Sequence, residues 1–268
     1  MLQSKLDAGL SPQTVVHIRT TLNTALRQAI NDRLLSWNPL SSVKRPKVHR
    51  RIFTQLTPEQ ARSFLTAAEN FRLGAAFAIG LSLGLRKGEV LALRWSDVDF
   101  QAQTLRVEQT IQRVRSKFSG TAGFLIAEPK TERSRRTLVL PAMLIPLLRR
   151  HRARQAQEHL AAGADWHNTG DLIFTTPHDR PVEHGDVQAE FKATLAAAGL
   201  PDIRLHDLRH ALATFLIAQG LPLRLVMEVL GHSTIALTAN TYGHIERGMM
   251  AEAASRMDAL LTGEKANK

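Results

Sequence analysis

A mainly α-helical fold carrying one small antiparallel β-sheet, an α+β class in which helix dominates, is what the sequence predicts. Three observations lead there. Apolar residues recur at helical spacing in many separate segments. Short β-favouring runs cluster in the stretch between Val98 and Leu140, separated by charged or Gly-containing turns. The chain has 268 residues, 44% of them hydrophobic, enough for one large domain with its own core and a smaller one beside it.

From Ser11 to about Leu35, Val15, Ile18, Leu22, Ala25, Leu26, Ala29 and Ile30 follow a helical period, with Ser11 suited to N-cap and Pro12 to the first helical position. Asn38-Pro39 stops that pattern. Lys44-Arg45-Pro46-Lys47-Val48-His49-Arg50-Arg51 has no helical period and reads as an interdomain linker. Its charges fit either a solvated tether or contact with phosphates. Thr57-Pro58-Glu59-Gln60 is a capping-box pattern opening a helix to about Ala68. Helices are expected over 71–83 and 87–95, then the sheet from runs 98–110, 124–127 and 137–140. After it come an amphipathic helix from Met143 to His159 and a short strand from Asp171 to Thr175. Helices over 184–198, 205–219, 222–230 and 247–261 complete the chain.

No run of eighteen apolar residues and no signal-peptide pattern occurs, so membrane insertion and secretion are not expected and the cytoplasm is. Without cysteine the chain has no disulfides, thiolate nucleophiles or Cys-based zinc sites. A net charge of +11 calls for a polyanionic partner, because Lys and Arg on phosphates release condensed counterions. Nucleic acid leads; an anionic membrane surface or a ribosome would suit the same charge.

Four segments could carry chemistry. In His206-Asp207-Leu208-Arg209-His210, the stripe Leu208, Leu212, Phe215 and Leu216 faces a core, and His206, Arg209 and His210 share the face bordering it. An arginine there needs an internal carboxylate or a bound anion. In Gly84-Leu85-Arg86-Lys87-Gly88-Glu89, two glycines bracket Arg86 where a helix starts. That is either an anion site or a plain turn in which Arg86 pairs with Glu89. Pro129-Lys130-Thr131-Glu132-Arg133-Ser134-Arg135-Arg136 lies between strand-like runs and alone reads as a surface loop. In Leu230-Gly231-His232-Ser233-Thr234 a glycine ends one helix ahead of Thr241-Tyr242-Gly243-His244. Tyr242 is the single tyrosine, which by itself more often means packing. His206 and His210 sit at zinc-pair spacing, but the Glu of a zinc-protease helix is missing, and no metal is expected.

The ordered set Gly84-Leu85-Arg86-Lys87-Gly88-Glu89, Lys130, His206-Asp207-Leu208-Arg209-His210, Leu230-Gly231-His232 and Tyr242 resembles the signature of the tyrosine recombinases, the phage-integrase family. Leu93-Arg94-Trp95-Ser96-Asp97-Val98-Asp99 is similar to the family as well. Leu83 departs from it, standing where a small hydroxyl residue is common.

The resemblance implies a tyrosine-recombinase-like catalytic domain over 51–268. A truncated helical core-binding domain with its basic linker would occupy 1–50, without an arm-type module and with activity impaired by the truncation. It implies a metal-independent, cofactor-free, site-specific recombinase that integrates or excises a mobile element through a 3′-phosphotyrosyl intermediate. Tyr242 would be the nucleophile, and Arg86 and Arg209 the phosphate clamps. Lys130 would be the general acid, His206 an acid/base and phosphate contact, His232 a phosphate hydrogen-bond donor and Glu89 the residue that orients the arginine. Lys44, Arg45, Lys47, Arg50 and Arg51 are expected on DNA. The partners implied are double-stranded DNA, three further copies in a tetramer on DNA, and an accessory DNA-bending protein. A topoisomerase-like activity, a non-catalytic DNA-binding remnant and a basic RNA-binding protein are the competing readings.

Overall fold

The computed structural model describes residues 1–48, 56–115, 122–128, 134–167 and 170–231. The chain divides into two compact units, Met1–Phe53 and Thr54–Lys268.

The first unit holds α1 (Leu2–Asp7) and α2 (Pro12–Asn31). Ser11 caps α2 as its sequence indicates, accepting a hydrogen bond from the Thr14 N–H, with Pro12 at the first helical position. Leu2, Val15 and Leu40 are the buried centre of this unit, and Leu6, Leu10, Ile18, Leu22 and Leu26 pack around them. Arg19 fastens the segment after α2 by donating to the carbonyls of Leu40 and Val43.

The second unit begins with α3 (Pro58–Ala68). Its capping box is complete: Thr57 accepts from the Gln60 N–H, and the Gln60 side chain accepts from the Thr57 N–H. The helix α4 (Gly74–Leu83) is apolar all round and buried along nearly its whole length, the pattern of a helix enclosed by others. Around it lie α3, α6 (Leu144–Ala162) and α8 (Leu205–Ala218). Phe64, Phe77 and Phe191 stack at 5.5 to 6.3 Å between centroids, joining α3, α4 and α7 (His184–Ala197). The set is completed by α5 (Lys87–Leu91) and α9 (Leu223–Leu230). Among the described residues no helix is long and apolar enough to cross a membrane.

The β-favouring stretch forms two antiparallel sheets where one was expected. One has the order β1 (Val98–Asp99), β2 (Thr104–Val107), β5 (Arg136–Val139); the other pairs β3 (Thr110–Arg115) with β4 (Ala122–Ala127). The break falls at Glu108-Gln109, where the Gln109 side chain donates to the Ala92 carbonyl beside α5. The expected helix over 87–95 stops at Leu91 and gives way to a 3₁₀ turn, Trp95–Asp97. The expected strand 171–175 reduces to two isolated bridges, Arg94 with Leu172 and Thr175 with Pro181. Side chains take its carbonyls instead of a second strand. Gln155 donates to Leu172, His151 Nε2 donates to Ile173 at 2.7 Å, and Arg72 donates to Thr175.

Candidate active site

The site grows from two tight helix ends that meet. The first follows α4, where Gly84 adopts φ +63 as the helix stops. A Cβ there would lie 2.5 Å from Leu230 Cδ2 and 2.9 Å from Leu212 Cδ2, so only glycine fits both the left-handed turn and the space. The second follows α9, where Gly231 takes φ +64. Between them stands α8, amphipathic as its sequence predicts, with Leu208 and Leu212 buried.

Arg209, on the buried side of α8, joins the two ends. It is 3% exposed, and its guanidinium donates to the Gly84 carbonyl and, at 2.5 Å, to the Leu230 carbonyl. Where the sequence called for a carboxylate or a bound anion, these contacts are backbone carbonyls at two helix C-termini, which carry partial negative charge and also favour a cation.

Arg86 heads α5. The pairing with Glu89 that a plain turn predicts is present. Its Nη1 pairs with Glu89 Oε1 at 2.7 Å, as in a plain turn, and its Nη2 donates to the Gly231 carbonyl at 3.1 Å. Its side chain remains 42% exposed, so part of the guanidinium faces outward. Glu89 is the reverse, 3% exposed. It also accepts from the Arg86 N–H at 3.0 Å and from Arg136 Nη2 at 3.0 Å. Burial opposes its ionisation, but the two arginines outweigh it and hold the carboxyl below its ordinary value, as an anion.

His206 lies one turn before Arg209, its ring T-shaped against His210 at 4.9 Å. Loss of water around the ring, with His210 and Arg209 nearby, pushes its pKa down to about 4. The residue as a whole is exposed, and solvent softens that shift without reversing it, so the imidazole is neutral at physiological pH. Asp207 turns away to cap α8 through Arg204. His206 also borders a cavity of about 320 Å³ with Leu85, Lys87, Val90, His184 and Arg204. Lys87 Nζ donates to His184 Nδ1 at its mouth, and desolvation lowers the lysine pKa.

The fold thus brings Arg86, Glu89, Arg209 and His206 to one junction. Lys130, His232 and Tyr242 lie outside the described residues, as do Arg50, Arg51 and the expected helix over 247–261. Lys44, Arg45 and Lys47 are exposed in the first unit. Among the described residues no group of three His, Asp or Glu side chains could hold a metal ion.

The sequence places Arg136 in a run that reads as a surface loop, whereas its side chain is 8% exposed and bonded to Glu89. Its neighbours Arg133 and Arg135 mask it in a basic run. The signal available was alternation: Arg136 opens β5, and Leu138, two residues on and facing the same side, is buried.

The sequence model described as the phage integrase family matches residues 54–248. The chain belongs to the phage integrase family. Within that family it is 34% identical over 249 residues to a tyrosine recombinase XerC-like protein of Caldanaerobacter subterraneus subsp. tengcongensis, an alignment covering 88% of this chain and 63% of the relative. It is 29% identical to the ICEBs1 integrase of Bacillus subtilis, covering 96% of this chain and 68% of that protein. The chain therefore spans under two thirds of the length of the XerC-like relative. Among solved structures, the integrase of transposon Tn1549 in complex with transposon right end DNA superposes with a TM-score of 0.73 at 23% identity, over 94% of this chain and 83% of that one. A lambda integrase dimer bound to a core site superposes at 0.58 and 20% identity, over 90% and 61%. Both share the fold of this phage integrase family member.

Proposed function

We propose that this phage integrase family member is a site-specific DNA recombinase that integrates or excises a mobile element by way of a 3′-phosphotyrosyl intermediate. The observation that carries the reading is the meeting of Arg86 and Arg209 at the Gly84 and Gly231 helix ends. Both guanidiniums are fixed from behind by carbonyls, and Arg86 also by Glu89. Fixed forks of this kind suit the non-bridging oxygens of a phosphodiester, where charge builds in the transition state.

Tyr242 attacks the phosphorus, forming the phosphotyrosyl bond as the bond to the 5′-oxygen breaks. The phenol must lose its proton and the leaving oxygen must gain one. Lys130 supplies the proton to the 5′-oxygen. His206, neutral before DNA arrives, can accept one, and a bound phosphate raises its basicity. His232 donates to the phosphate. The 5′-hydroxyl of a partner strand then displaces the tyrosine, so the number of phosphodiester bonds is conserved and no energy source is consumed.

In this reading residues 1–50 form part of a core-binding domain and 51–268 the catalytic domain. The basic linker follows duplex DNA, the chain acts as a tetramer on two sites with a DNA-bending accessory protein, and the reaction takes place in the cytoplasm. The DNA complexes of the Tn1549 and lambda integrases support double-stranded DNA as the substrate.

The test is a nicked suicide substrate carrying a candidate attachment site, incubated with the wild-type chain and with Tyr242→Phe. A covalent protein–DNA band on a denaturing gel with the wild type only is expected. No band from a protein that still binds the DNA would overturn the reading in favour of a binding remnant.

A further inference from the structure

Arg136 on β5, its side chain 8% exposed, has no role in the reaction as described, yet it is tied to three parts of the site. Each of its three guanidinium nitrogens has its own partner. Nη2 meets Glu89 Oε2 on α5 at 3.0 Å, Nε donates to the Val229 carbonyl in α9 at 3.0 Å, and Nη1 donates to the Ser134 carbonyl at 3.0 Å. The guanidinium plane lies against Gly231, where a Cβ would stand 2.8 Å from Nη1 and 3.1 Å from Cζ.

From these contacts we infer that Arg136 is a positioning residue for the phosphate clamp, a strut that fixes Glu89, and through it Arg86, against the end of α9. The inference rests on the recombinase reading above. An apolar side chain filling the same space would take one of the two arginines from the Glu89 carboxylate and this donor from the Val229 and Ser134 carbonyls. A planar fork bonded in three directions does more, because it sets the mutual distance of three chain segments. Those segments lead to the reacting groups. Lys130 precedes Arg136 by six residues, and His232 follows Gly231. Glu89 accepts from both arginines, so moving Arg136 releases one wall of the pocket that aims Arg86. Arg86 on its own helix and Arg136 on β5 are the charged groups that the structure places on Glu89.

The experiment compares wild type, Arg136→Gln and Arg136→Lys in single-turnover formation of the covalent band on the suicide substrate, across pH. The expected result for Arg136→Gln is a cleavage rate lower by about 100-fold, the scale of an ångström-level misplacement, with DNA affinity on a native gel close to wild type. Its acid limb should also move to higher pH, because burial of Glu89 is then opposed by Arg86 alone. Arg136→Lys keeps one charge toward Glu89 and should recover the pH profile but only part of the rate. Hydrogen exchange of the folded proteins is measured in parallel, with faster exchange expected in segments 84–92 and 224–231 of the Gln variant. Wild-type rate and pH profile in both variants would overturn the proposal. If the wild type forms no covalent band, the recombinase reading fails separately, and unchanged exchange in those two segments then overturns the strut.

Discussion

Arg86 Nη2 donates to the carbonyl oxygen of Gly231 at 3.1 Å, linking the head of α5 to the residue just before His232. Two residues 145 positions apart thereby share one hydrogen bond, and the glycine that provides it cannot be enlarged without touching Arg136.

Gly231→Ala should therefore cost both stability and rate. The left-handed backbone alone disfavours alanine by about 1–2 kcal/mol, and the added Cβ meets the Arg136 guanidinium. Gly84→Ala meets the same backbone penalty plus a clash with Leu230 and Leu212, for a total of about 2–4 kcal/mol. Thermal or urea unfolding reads both. Cleavage by Gly84→Ala should track its folded fraction, whereas Gly231→Ala should be slowed further than its loss of stability explains.

The two clamp arginines should respond differently to lysine. Arg209 is buried and holds two carbonyls on separate Nη atoms, a planar spacing that the single nitrogen of lysine does not reproduce, so Arg209→Lys should lower stability by about 2 kcal/mol as well as abolishing most cleavage. Arg86 is half open to solvent. Arg86→Lys should unfold within about 1 kcal/mol of wild type while cleavage falls by about 100-fold or more. Equal stability losses for the two would contradict the burial difference.

Acid should destabilise the fold before its carboxylates titrate. His151 is buried between Trp95 and Phe174. Burial drives its pKa below the ordinary 6.5, with a partial counter-effect from its bond to the Ile173 carbonyl and a further push from Arg72. His210 is lowered too, and His206 reaches about 4. Each binds its proton more weakly folded than unfolded, so the stability they contribute is complete above pH 6.5 and is lost as pH falls from there toward about 4. The urea midpoint should be level from pH 8 to 6.5 and then decline. His151→Phe should flatten part of that decline.

Salt should weaken DNA binding steeply if the linker follows phosphates. Replacing Lys44, Arg45, Lys47, Arg50 and Arg51 by glutamine should lower the slope of log affinity against log salt by about 0.9 for each contact removed. An unchanged slope would mean that the run is a solvated tether.

What the sequence determined alone is what depends on neighbours along the chain. The Ser11 and Thr57 caps and the boundaries of α7 and α8 all follow from spacing within a few residues. The resemblance added Arg86, Glu89, His206 and Arg209 as one group, and the fold places them at one junction. What tertiary structure decided depends on residues far apart. Segment 171–175 has strand composition but no strand, because Gln155, His151 and Arg72 reach its carbonyls from other elements. Arg136 stands in one basic run with Arg133 and Arg135, and only its alternation with Leu138 sets it apart in the sequence. It is buried because β5 pairs with β2 in a register that turns it toward Glu89 and Val229. A buried guanidinium needs acceptors from several directions at once, and only the assembled fold brings a carboxylate from α5 and a carbonyl from α9 within 3.0 Å of it.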